Sequence, residues 1–453
     1  MVGATLSGRK YKAYPEYKDS GVDWFDKIPS HWRVAGFKKH IASIVDYRGK
    51  TPLKTDDGVL LVTARNIKNG KLDYNLSQEY IASDDYDDVM SRGKPEIGHV
   101  LFTTEAPLGE VANIDRTDIA LAQRIIKFDG LENELNNYYL KYLIISKEFQ
   151  QSLNLFASGS TVKGIKAERF VYLRNLLPSY EEQQTIANFL DHETAKIDTL
   201  IAKQEKLIEL LKEKRQAVIS HSVTKGLNPD TPMQDSGVVW LGEVPAHWSV
   251  SKLKYLVNEP LLYGANEAAL DADKSQPRFV RITDVHSDGS LRNETFRSLP
   301  IDVALPYMLS DGDILLARSG GTVGKSFLYR NSWGKCCFAG YLIKASIDEN
   351  KISADWVYLN TLTNFYWDWI KSTQIQATIQ NVSAEKYNSF SVAVPPKEEV
   401  QSILLYLEEQ IKRFDNLTEK SLLAVGLIKE RKKALISAAV TGKIDVRDWQ
   451  GDY

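Results

Sequence analysis

A long, polar helical segment that occurs twice constrains this chain more than any other feature. In its first copy, residues 179–224, mostly apolar side chains recur every seven residues, and a second row stands four residues further on. Two such rows are typical of a coiled-coil seam. Each helix, at about 1.5 Å per residue over about forty residues, would be a rod of about 60 Å. The predicted seam positions are Leu190, Ile197, Leu211 and Val218 in the first copy and Leu407, Phe414, Ile428 and Leu435 in the second, residues 396–441.

The two copies keep one register. Asp198 matches Asp415 and Ile219 matches Ile436, because 415 − 198 and 436 − 219 both give 217. Two unrelated surface helices would not hold a constant offset. Equal rods with exposed apolar seams can bury those seams against each other, so we expect the two helices to pair. Leu200 and Leu207 widen the first seam on one side, which leaves room for a further partner.

The repeat extends beyond the helices. Residues 19–32 and 235–248 share a tryptophan-rich phrase, with Trp24 and Trp240 as well as Trp32 and Trp248 separated by 216 residues. We interpret this phrase, called the Trp anchor below, as a packing element that opens each of two tandem half-chains.

Between anchor and helix, each half has a mixed pattern of strands, turns and helices. Because the framing elements are alike and the loops differ, the halves are expected to share one architecture and recognise two different things. The pattern predicts strands at 59–62, 100–102, 279–282 and 314–317, a turn at 68–71, helices at 136–155 and 356–370, loops at 157–164 and 373–381, and equivalence of segment 59–63 with segment 279–283.

Composition narrows the class of protein. A chain of 453 residues suggests two to four domains. Its 57 basic and 59 acidic residues give a net charge of −2, which by itself carries no nucleic-acid signature. No apolar run approaches the roughly 18 residues of a membrane span, and the N-terminus has no signal-peptide core. The adjacent Cys336 and Cys337 are poorly placed to pair and cannot make a zinc site, so we expect a reducing cytoplasm.

The motifs of catalysis are incomplete. Residues 319–326 (SGGTVGKS) resemble a phosphate-binding P-loop, but Ser319 replaces the first glycine and a strand-like sequence follows. A turn between two strands is the simpler interpretation, with a DNA phosphate contact by Lys325 as a functional alternative. The seven histidines do not cluster at metal-ligand spacing, and neither a G-x-S-x-G elbow nor a G-x-G-x-x-G loop occurs. We therefore predict a non-catalytic chain without cofactor or metal.

Polar and basic loop residues remain, and they are suited to reading DNA. Arginine pairs with guanine and Asn or Gln with adenine, while Lys, Ser and Thr commonly hold phosphates. For any one residue, the alternative is a solvated loop side chain. The candidates are Arg48, Lys50, Thr51, Arg65, Asn66, Ser158, Ser160, Thr161, Lys163 and Lys166 in the first half and Arg281, Thr283, Arg318, Ser319, Lys325, Gln374 and Gln376 in the second.

Taken together, these motifs resemble the specificity subunit of type I restriction-modification systems over nearly the whole chain. The resemblance rests on the paired W-x-x-x-(I/V)-P-x-H-W anchors, the loop Ser158-Gly159-Ser160-Thr161, and the P-x-x-E-E-Q helix start at residues 178–183. The second half departs from the pattern, since Val400 replaces the Gln and residues 377–381 replace the Ser-Gly-Ser-Thr loop.

The resemblance implies an α+β fold with two tandem mixed α/β target-recognition domains, at 1–177 and 227–394, and an internal pseudo-twofold repeat. The domains are separated by the two long helices, in segments 178–226 and 395–453, which pair as an antiparallel coiled coil. Each domain would read one part of a split site on double-stranded DNA, and the helices would set the gap. Two methyltransferase subunits and restriction subunits would complete the assembly and share the phosphate contacts. The competing hypothesis is a coiled-coil scaffold with protein-binding globular halves and no DNA role.

Overall fold

The computed structural model describes residues 11–49, 51–159, 163–268, 272–286, 289–374 and 381–451. These residues form two compact units. Unit 1 comprises Met1–Glu205 together with Leu423–Tyr453, and unit 2 comprises Lys206–Leu422. None of the helices in the described part of the chain has the length and apolar character needed to cross a lipid bilayer.

Unit 1 is a mixed α/β structure. Its strands are β1 (Tyr17–Val22), β2 (Phe25–Pro29), β3 (Arg33–Gly36), β4 (Ile41–Asp46), β5 (Val59–Val62), β6 (Ile67–Lys68), β7 (Lys71–Leu72), β8 (Tyr80–Ile81), β9 (Val100–Thr104), β10 (Leu108–Asn113), β11 (Ile119–Leu121), β12 (Ile125–Gly130) and β13 (Arg174–Leu177). Its helices are α1 (Tyr86–Val89), α2 (Asn137–Ile145), α3 (Lys147–Phe156) and the first part of α4 (Tyr180–Lys225).

The core of unit 1 is built on an antiparallel sheet in the order β10-β9-β12-β4. Every residue of β9 is buried, as expected for a strand covered on both faces. Phe102 on β9 meets Phe128 and Phe170 with ring centroids 5.8 and 5.4 Å apart. A second sheet, β11-β5-β8, pairs β5 and β11 in parallel and carries its own apolar cluster around Leu61 and Ile119.

Unit 2 follows the same plan. Its strands are β14 (Met233–Asp235), β15 (Glu243–Pro245), β16 (Ser249–Lys252), β17 (Leu262–Tyr263), β18 (Arg278–Val280), β19 (Ile314–Ala317), β20 (Ser326–Leu328), β21 (Cys336–Phe338), β22 (Leu342–Ala345) and β23 (Ser391–Val394). Its helices are α5 (Ile301–Ala304), α6 (Ala354–Thr361), α7 (Asn364–Gln374), α8 (Ala384–Asn388) and the first part of α9 (Lys397–Val440).

The main sheets of unit 2 match those of unit 1 in strand order and direction. The antiparallel sheet has the order β20-β19-β22-β17, and β18 pairs in parallel with β21, as β5 does with β11. Phe279 lies opposite Cys337, and Leu61 lies opposite Ala120. Cys336 and Cys337 are free and buried on β21, and burial raises the pKa of each thiol to about 12.

The Trp anchor of each unit binds a carboxylate in the first turn of a long helix. In unit 1, Trp32 Nε1 and Tyr14 Oη donate to Glu182 Oε1 at 3.1 and 2.7 Å, while His31 Nε2 lies 2.9 Å from Glu182 Oε2. Burial first, and then the hydrogen bond to Glu182, raise the pKa of Tyr14 far above its ordinary value. The predicted packing role of the Trp anchor is confirmed, since Trp32 is fully buried.

Unit 2 repeats this contact. Trp248 Nε1 donates to Glu399 Oε2 at 3.0 Å, and His247 Nε2 lies 2.7 Å from the same oxygen. The long helices also end alike, at Gly226 with φ +73° and at Gly442 with φ +71°, the left-handed conformation that glycine adopts freely after a helix.

The two long helices were predicted to within a residue or two at each end. In unit 1, Lys432 Nζ donates to Asp198 Oδ1 at 2.6 Å and Lys429 Nζ donates to Glu205 Oε1 at 3.0 Å. From the first contact to the second, the residue number rises in α4 and falls in α9. The two helical segments therefore run in opposite directions within this unit.

In unit 2, Arg215 Nε on α4 donates to Asp415 Oδ1 on α9 at 2.9 Å. This pair is the counterpart of Lys432–Asp198, since 432 − 215 and 415 − 198 both equal 217. None of the predicted seam residues is solvent-exposed. Leu190, Ile197, Leu407, Phe414 and Leu435 are buried, and Leu211, Val218 and Ile428 are partly buried.

Two predicted helices are broken in the structure. Segment 136–155 was predicted as one helix, but α2 ends at Ile145 and α3 begins at Lys147, because Ser146 leaves the helical conformation with ψ 148° and caps α3. Segment 356–370 is likewise divided into α6 and α7 by Leu362 and Thr363.

The predicted register between the halves was also wrong for one strand. Leu61 corresponds to Phe279 by strand pairing, an offset of 218, whereas equating segment 59–63 with segment 279–283 needs an offset of 220. Strand β18 ends at Val280, and a 3-10 turn follows at Ile282–Asp284 instead of further strand.

Candidate nucleic-acid interface

Loops that follow β5, β9 and β11 meet at one edge of unit 1, called the loop edge below. Thr104, at the end of β9, donates its N–H to Arg124 O at 2.9 Å and accepts from Ile165 N at 3.0 Å. A cleft of about 210 Å³ at this edge is lined by residues from five segments, among them the candidates Thr51 and Arg65. Arg124 lines the same cleft and forms an ion pair with Glu105, Nε to Oε1 at 3.0 Å.

Arg65 and Asn66 are neighbours in sequence but differ in role. Arg65 is solvent-exposed. Asn66 is fully buried, and its Oδ1 accepts from the N–H of Thr63 at 2.9 Å while its Nδ2 donates to Asp73 O and Ser77 O at 3.0 and 2.8 Å. Both amide hydrogens of Asn66 are therefore used inside the loop. Asn66 fixes the loop that presents Arg65, and it has no free donor for a base.

Arg48, in the turn after β4, is held by the carboxylate at the end of that strand. Its Nε donates to both oxygens of Asp46 at 2.9 Å, and this hydrogen bonding raises the pKa of Arg48 above its usual range. An arginine with a bidentate carboxylate partner must exchange that partner before it can bind a base. Thr51 is exposed, and Lys50 lies outside the described residues.

The loop after α3 is closed by a small backbone ladder. Ser158 and Gly164 exchange two N–H to carbonyl hydrogen bonds, each 2.9 Å long, and Gly164 also bridges Glu105. Lys163 and Lys166 are exposed next to this ladder, so their side chains make the loop edge more positively charged. The candidates Ser160 and Thr161 lie outside the described residues.

Unit 2 has the same loop edge with different side chains. Arg318, at the end of β19, donates its N–H to Tyr341 O at 3.0 Å and accepts from Val382 N at 2.8 Å. Arg318 thus takes the place of Thr104, and Tyr341 takes the place of Arg124. Thr104 is buried, with 1% of its surface exposed, whereas Arg318 is partly exposed.

The turn from Arg281 to Asp284 repeats the pattern seen from Thr63 to Asn66. The buried Asp284 accepts from Arg281 N at 2.8 Å, as Asn66 does from Thr63, and it binds the Arg281 guanidinium from Nε at 2.9 Å and Nη2 at 2.7 Å. Arg281 is therefore engaged in the turn. Thr283, at the place of Arg65, is exposed.

Residues 319–326 connect two antiparallel strands. They link β19 to β20, with Leu316 opposite Ser326, and no helix follows the glycines as a P-loop requires. The turn predicted as the simpler interpretation is confirmed. Ser319 is partly exposed and bridges Asn381, and Lys325 is exposed. Gln376 and the side chain of Gln374 lie outside the described residues.

Sequence reasoning missed residues that the fold places at these edges. Arg124 and Tyr341 follow short buried strands and belong to no motif, although the offset of 217 relates them. Tyr263 lies 55 positions before Arg318 along the chain, yet its ring stacks under the Arg318 guanidinium, 4.7 Å from the ring centroid. Within the described ranges, no group of three or more His, Cys, Asp or Glu is arranged to hold a metal ion.

Comparison with known proteins gives one answer. The profile of a family described as "Type I restriction modification DNA specificity domain" matches residues 38–210 and 290–425. The type I restriction enzyme StySPI specificity subunit of Salmonella potsdam is 23% identical, over 94% of this chain and 92% of that protein. The EcoKI specificity subunit of Escherichia coli K12 is 22% identical with the same two coverages.

Solved structures show the same fold. A chain from a type I R-M system, solved to describe complex assembly and conformational transition, has a TM-score of 0.70 and 14% identity, covering 91% of this chain and 98% of that chain. The HsdS subunit from Thermoanaerobacter tengcongensis has a TM-score of 0.51 and 15% identity, covering 92% and 98%.

Proposed function

The chain belongs to the type I restriction-modification DNA specificity family, and we propose that it selects the DNA sequence on which a multisubunit methyltransferase and endonuclease acts. The family match covers more than half of the chain and extends into both units. The relatives are named specificity subunits of type I restriction enzymes, so the chain itself is the recognising subunit and not the enzyme.

We infer that each loop edge reads one part of a bipartite site on double-stranded DNA. The observation that carries this proposal is that the same backbone frame holds different side chains in the two units. Arg318 replaces Thr104 and Tyr341 replaces Arg124 on matching hydrogen bonds. Different side chains at matching places give different donors and acceptors to a groove, which is how two related domains come to prefer different bases.

The domain boundaries follow from this proposal: target-recognition domains at 1–177 and 227–394 and long helices in segments 178–226 and 395–453. The helices pair as an antiparallel coiled coil, supported by the Asp198–Lys432 and Arg215–Asp415 contacts inside the two units. Pairing would complete the pseudo-twofold repeat, and the helices would set the spacer between the half-sites.

The proposed partners are DNA, two methyltransferase subunits and the restriction subunits. Leu200 and Leu207 on α4 are 49% and 41% exposed, so the helices keep apolar surface for another protein. Neighbouring subunits would supply phosphate contacts that a chain of net charge −2 lacks. We place the assembly in the cytoplasm, where free thiols stay reduced.

A segment exchange tests the proposal. Residues 34–177 of another family member are grafted into this chain, and the methylated sequences are read genome-wide in cells that express the chain with its methyltransferase. One half-site should change while the other half-site and the spacer stay constant. Grafting residues 249–394 is the matched experiment and should change only the opposite half-site.

Two results would contradict the proposal. The first is that cells expressing the wild-type chain with its methyltransferase carry no bipartite methylated sequence. The chain would then not be a specificity subunit, and the competing hypothesis of a coiled-coil scaffold would be favoured. If either graft changes both half-sites together, the units do not read DNA independently.

A further inference from the structure

Arg318 differs from the other candidate arginines that are tied to carboxylates. Arg48 is bound by Asp46 and Arg281 by Asp284, both through two oxygens. Within the described part of the chain, the Arg318 guanidinium has no carboxylate partner, and its Nε is buried without a hydrogen bond. Leaving a buried donor unpaired is destabilising, so such a group needs an explanation.

The Arg318 side chain is nevertheless held in place. Its guanidinium lies over the Tyr263 ring at 4.7 Å, and Tyr263 Oη in turn accepts from Ala384 N at 2.9 Å. Hydrogen bonds to Tyr341 O and from Val382 N fix its backbone. A guanidinium stacked on an aromatic ring keeps its plane and loses little freedom when it binds.

A second unpartnered polar atom lies at the same place. Asn381 Oδ1 is buried and has no hydrogen bond among the described residues, and Asn381 bridges Ser319, which follows Arg318. An arginine with an unused donor and an amide with an unused acceptor, on neighbouring segments of one loop edge, are suited to the edge of a base pair. Guanine presents two acceptors, O6 and N7, to an arginine, and its partner cytosine presents an amino donor.

We propose that Arg318 reads a guanine in the half-site recognised by unit 2, and that Tyr263 is the positioning residue that holds it. The inference rests on the proposed function of unit 2 and adds the identity of one base. Unit 1 has no equivalent contact, because Thr104 occupies that place, is buried, and donates its hydroxyl to Arg124 O at 3.1 Å. This arginine contact is therefore expected in one half-site alone.

The test uses the full chain in complex with its methyltransferase. The wild-type methylated sequence is read first, and the half-site of unit 2 is the one that changes when residues 249–394 are exchanged. Arg318→Ala and Arg318→Lys are then compared by methylome sequencing and by binding to duplexes in which each guanine of that half-site is replaced. Both variants should lose about 5- to 150-fold of the preference for guanine at one position. The other half-site should not change.

Arg318→Lys separates base reading from phosphate binding. A lysine keeps the charge but not the planar pair of donors, so a phosphate contact would survive in Arg318→Lys and would weaken for all sequences equally in Arg318→Ala. Uniform weakening with an unchanged base preference would overturn the proposal. Arg33→Ala removes a positive charge from the exposed end of β3 and is the matched control, with an unchanged sequence preference expected.

Variants of Tyr263 test the positioning role. Tyr263→Phe keeps the ring and should keep the preference for guanine, whereas Tyr263→Leu removes the stacking surface and should lose part of it. Equal behaviour of the two variants would show that the ring does not hold Arg318.

Arg318→Ala could abolish methylation altogether, and two further measurements then test the proposal. These are the melting temperature of the complex and its binding to the duplex panel. A folded complex with an intact preference for guanine contradicts the proposal. Absence of a bipartite motif with the wild-type chain would instead contradict the proposed function itself.

Discussion

Glu182 is a charged side chain with only 4% of its surface exposed, and three donors surround it. Tyr14, Trp32 and His31 supply these donors, and together they replace the water that the carboxylate lost. Glu399 makes two matching contacts in unit 2, with Trp248 and His247, but 29% of its side chain stays exposed. The same motif is therefore more deeply buried in unit 1.

Replacing Glu182 by Ala should be strongly destabilising. Trp32 Nε1 and Tyr14 Oη would be left buried without an acceptor, at a cost of about 1–3 kcal/mol each. Glu399→Ala should cost less, because water can reach its partners. Urea unfolding of the purified chain measures both, and Glu181→Ala, at an exposed neighbouring position, is the control. Equal losses for Glu181→Ala and Glu182→Ala would contradict this account.

The buried Lys141 should make the stability of the folded protein depend on pH. Burial lowers its pKa below 10.5, and the Asp191 carboxylate 3.0 Å away only partly offsets this effect. Below the pKa that Lys141 has in the folded protein, the folded and unfolded states both carry the proton. The folded state is then destabilised by a buried charge. As pH rises toward 10.5, the folded state releases the proton first, so the contribution of Lys141 to stability increases with pH.

Lys141→Met should abolish that increase. The melting temperature of the wild type relative to the variant should rise between pH 7.5 and pH 10, since only the wild type loses the penalty. Lys147→Met removes an exposed lysine on the next helix and should show no such trend. A difference that stays constant with pH would show that Lys141 is not penalised by burial.

At the scale of elements, the long helices could be predicted from sequence because their seven-residue rows continue for six turns or more. The breaks between α2 and α3 and between α6 and α7 could not. Apolar spacing continues across Ser146 and Thr363, and a serine or threonine inside such a pattern is compatible with either a helix interior or a cap. Only the tertiary position of the following helix decides between them.

Ser146 and Thr363 should act as equivalent caps. Each hydroxyl accepts from the N–H three residues on, at 3.3 Å, and donates to the carbonyl three residues before, at 2.6 Å. Ser146→Ala and Thr363→Ala should each lower the free energy of unfolding by about 1 kcal/mol. Ser146→Thr and Thr363→Ser keep the hydroxyl and should cost less. Alanine variants as stable as the wild type would show that the caps contribute nothing.

The candidate site could be predicted from sequence only in part. Residue type pointed to Arg65, Thr283 and Arg318, which the fold brings to the loop edges. It could not separate Arg65 from Asn66, because burial and hydrogen bonding of the loop decide which one is free. Arg124 and Tyr341 were missed because their common place depends on parallel pairing of β5 with β11 and of β18 with β21, which has no local sequence signal.

At the scale of the whole molecule, residues of each long helix are divided between the two units, after Glu205 in α4 and after Leu422 in α9. Inserting seven residues at both points preserves the seven-residue rows and lengthens each helix by about 10 Å. If the helices set the spacer, methylome sequencing should show unchanged half-sites and a spacer longer by about three base pairs.

The control for this experiment is an insertion in α4 alone. It leaves α9 without a partner of matching length, so it should lower stability and methylation instead of lengthening the spacer. An active double insertion with an unchanged spacer would contradict the role of the helices as a ruler.

The contact between each Trp anchor and its helix carboxylate joins the beginning of a recognition segment to its end. Trp32 and Glu182 are 150 positions apart and Trp248 and Glu399 are 151, yet each pair shares a hydrogen bond. Everything between them is a closed loop of chain whose two ends stay fixed to each other. A genetic crossover within the anchor codons and another within the helix codons would exchange the whole loop and leave its fastening intact, so a lineage could acquire a new DNA specificity in one recombination event without rebuilding the scaffold.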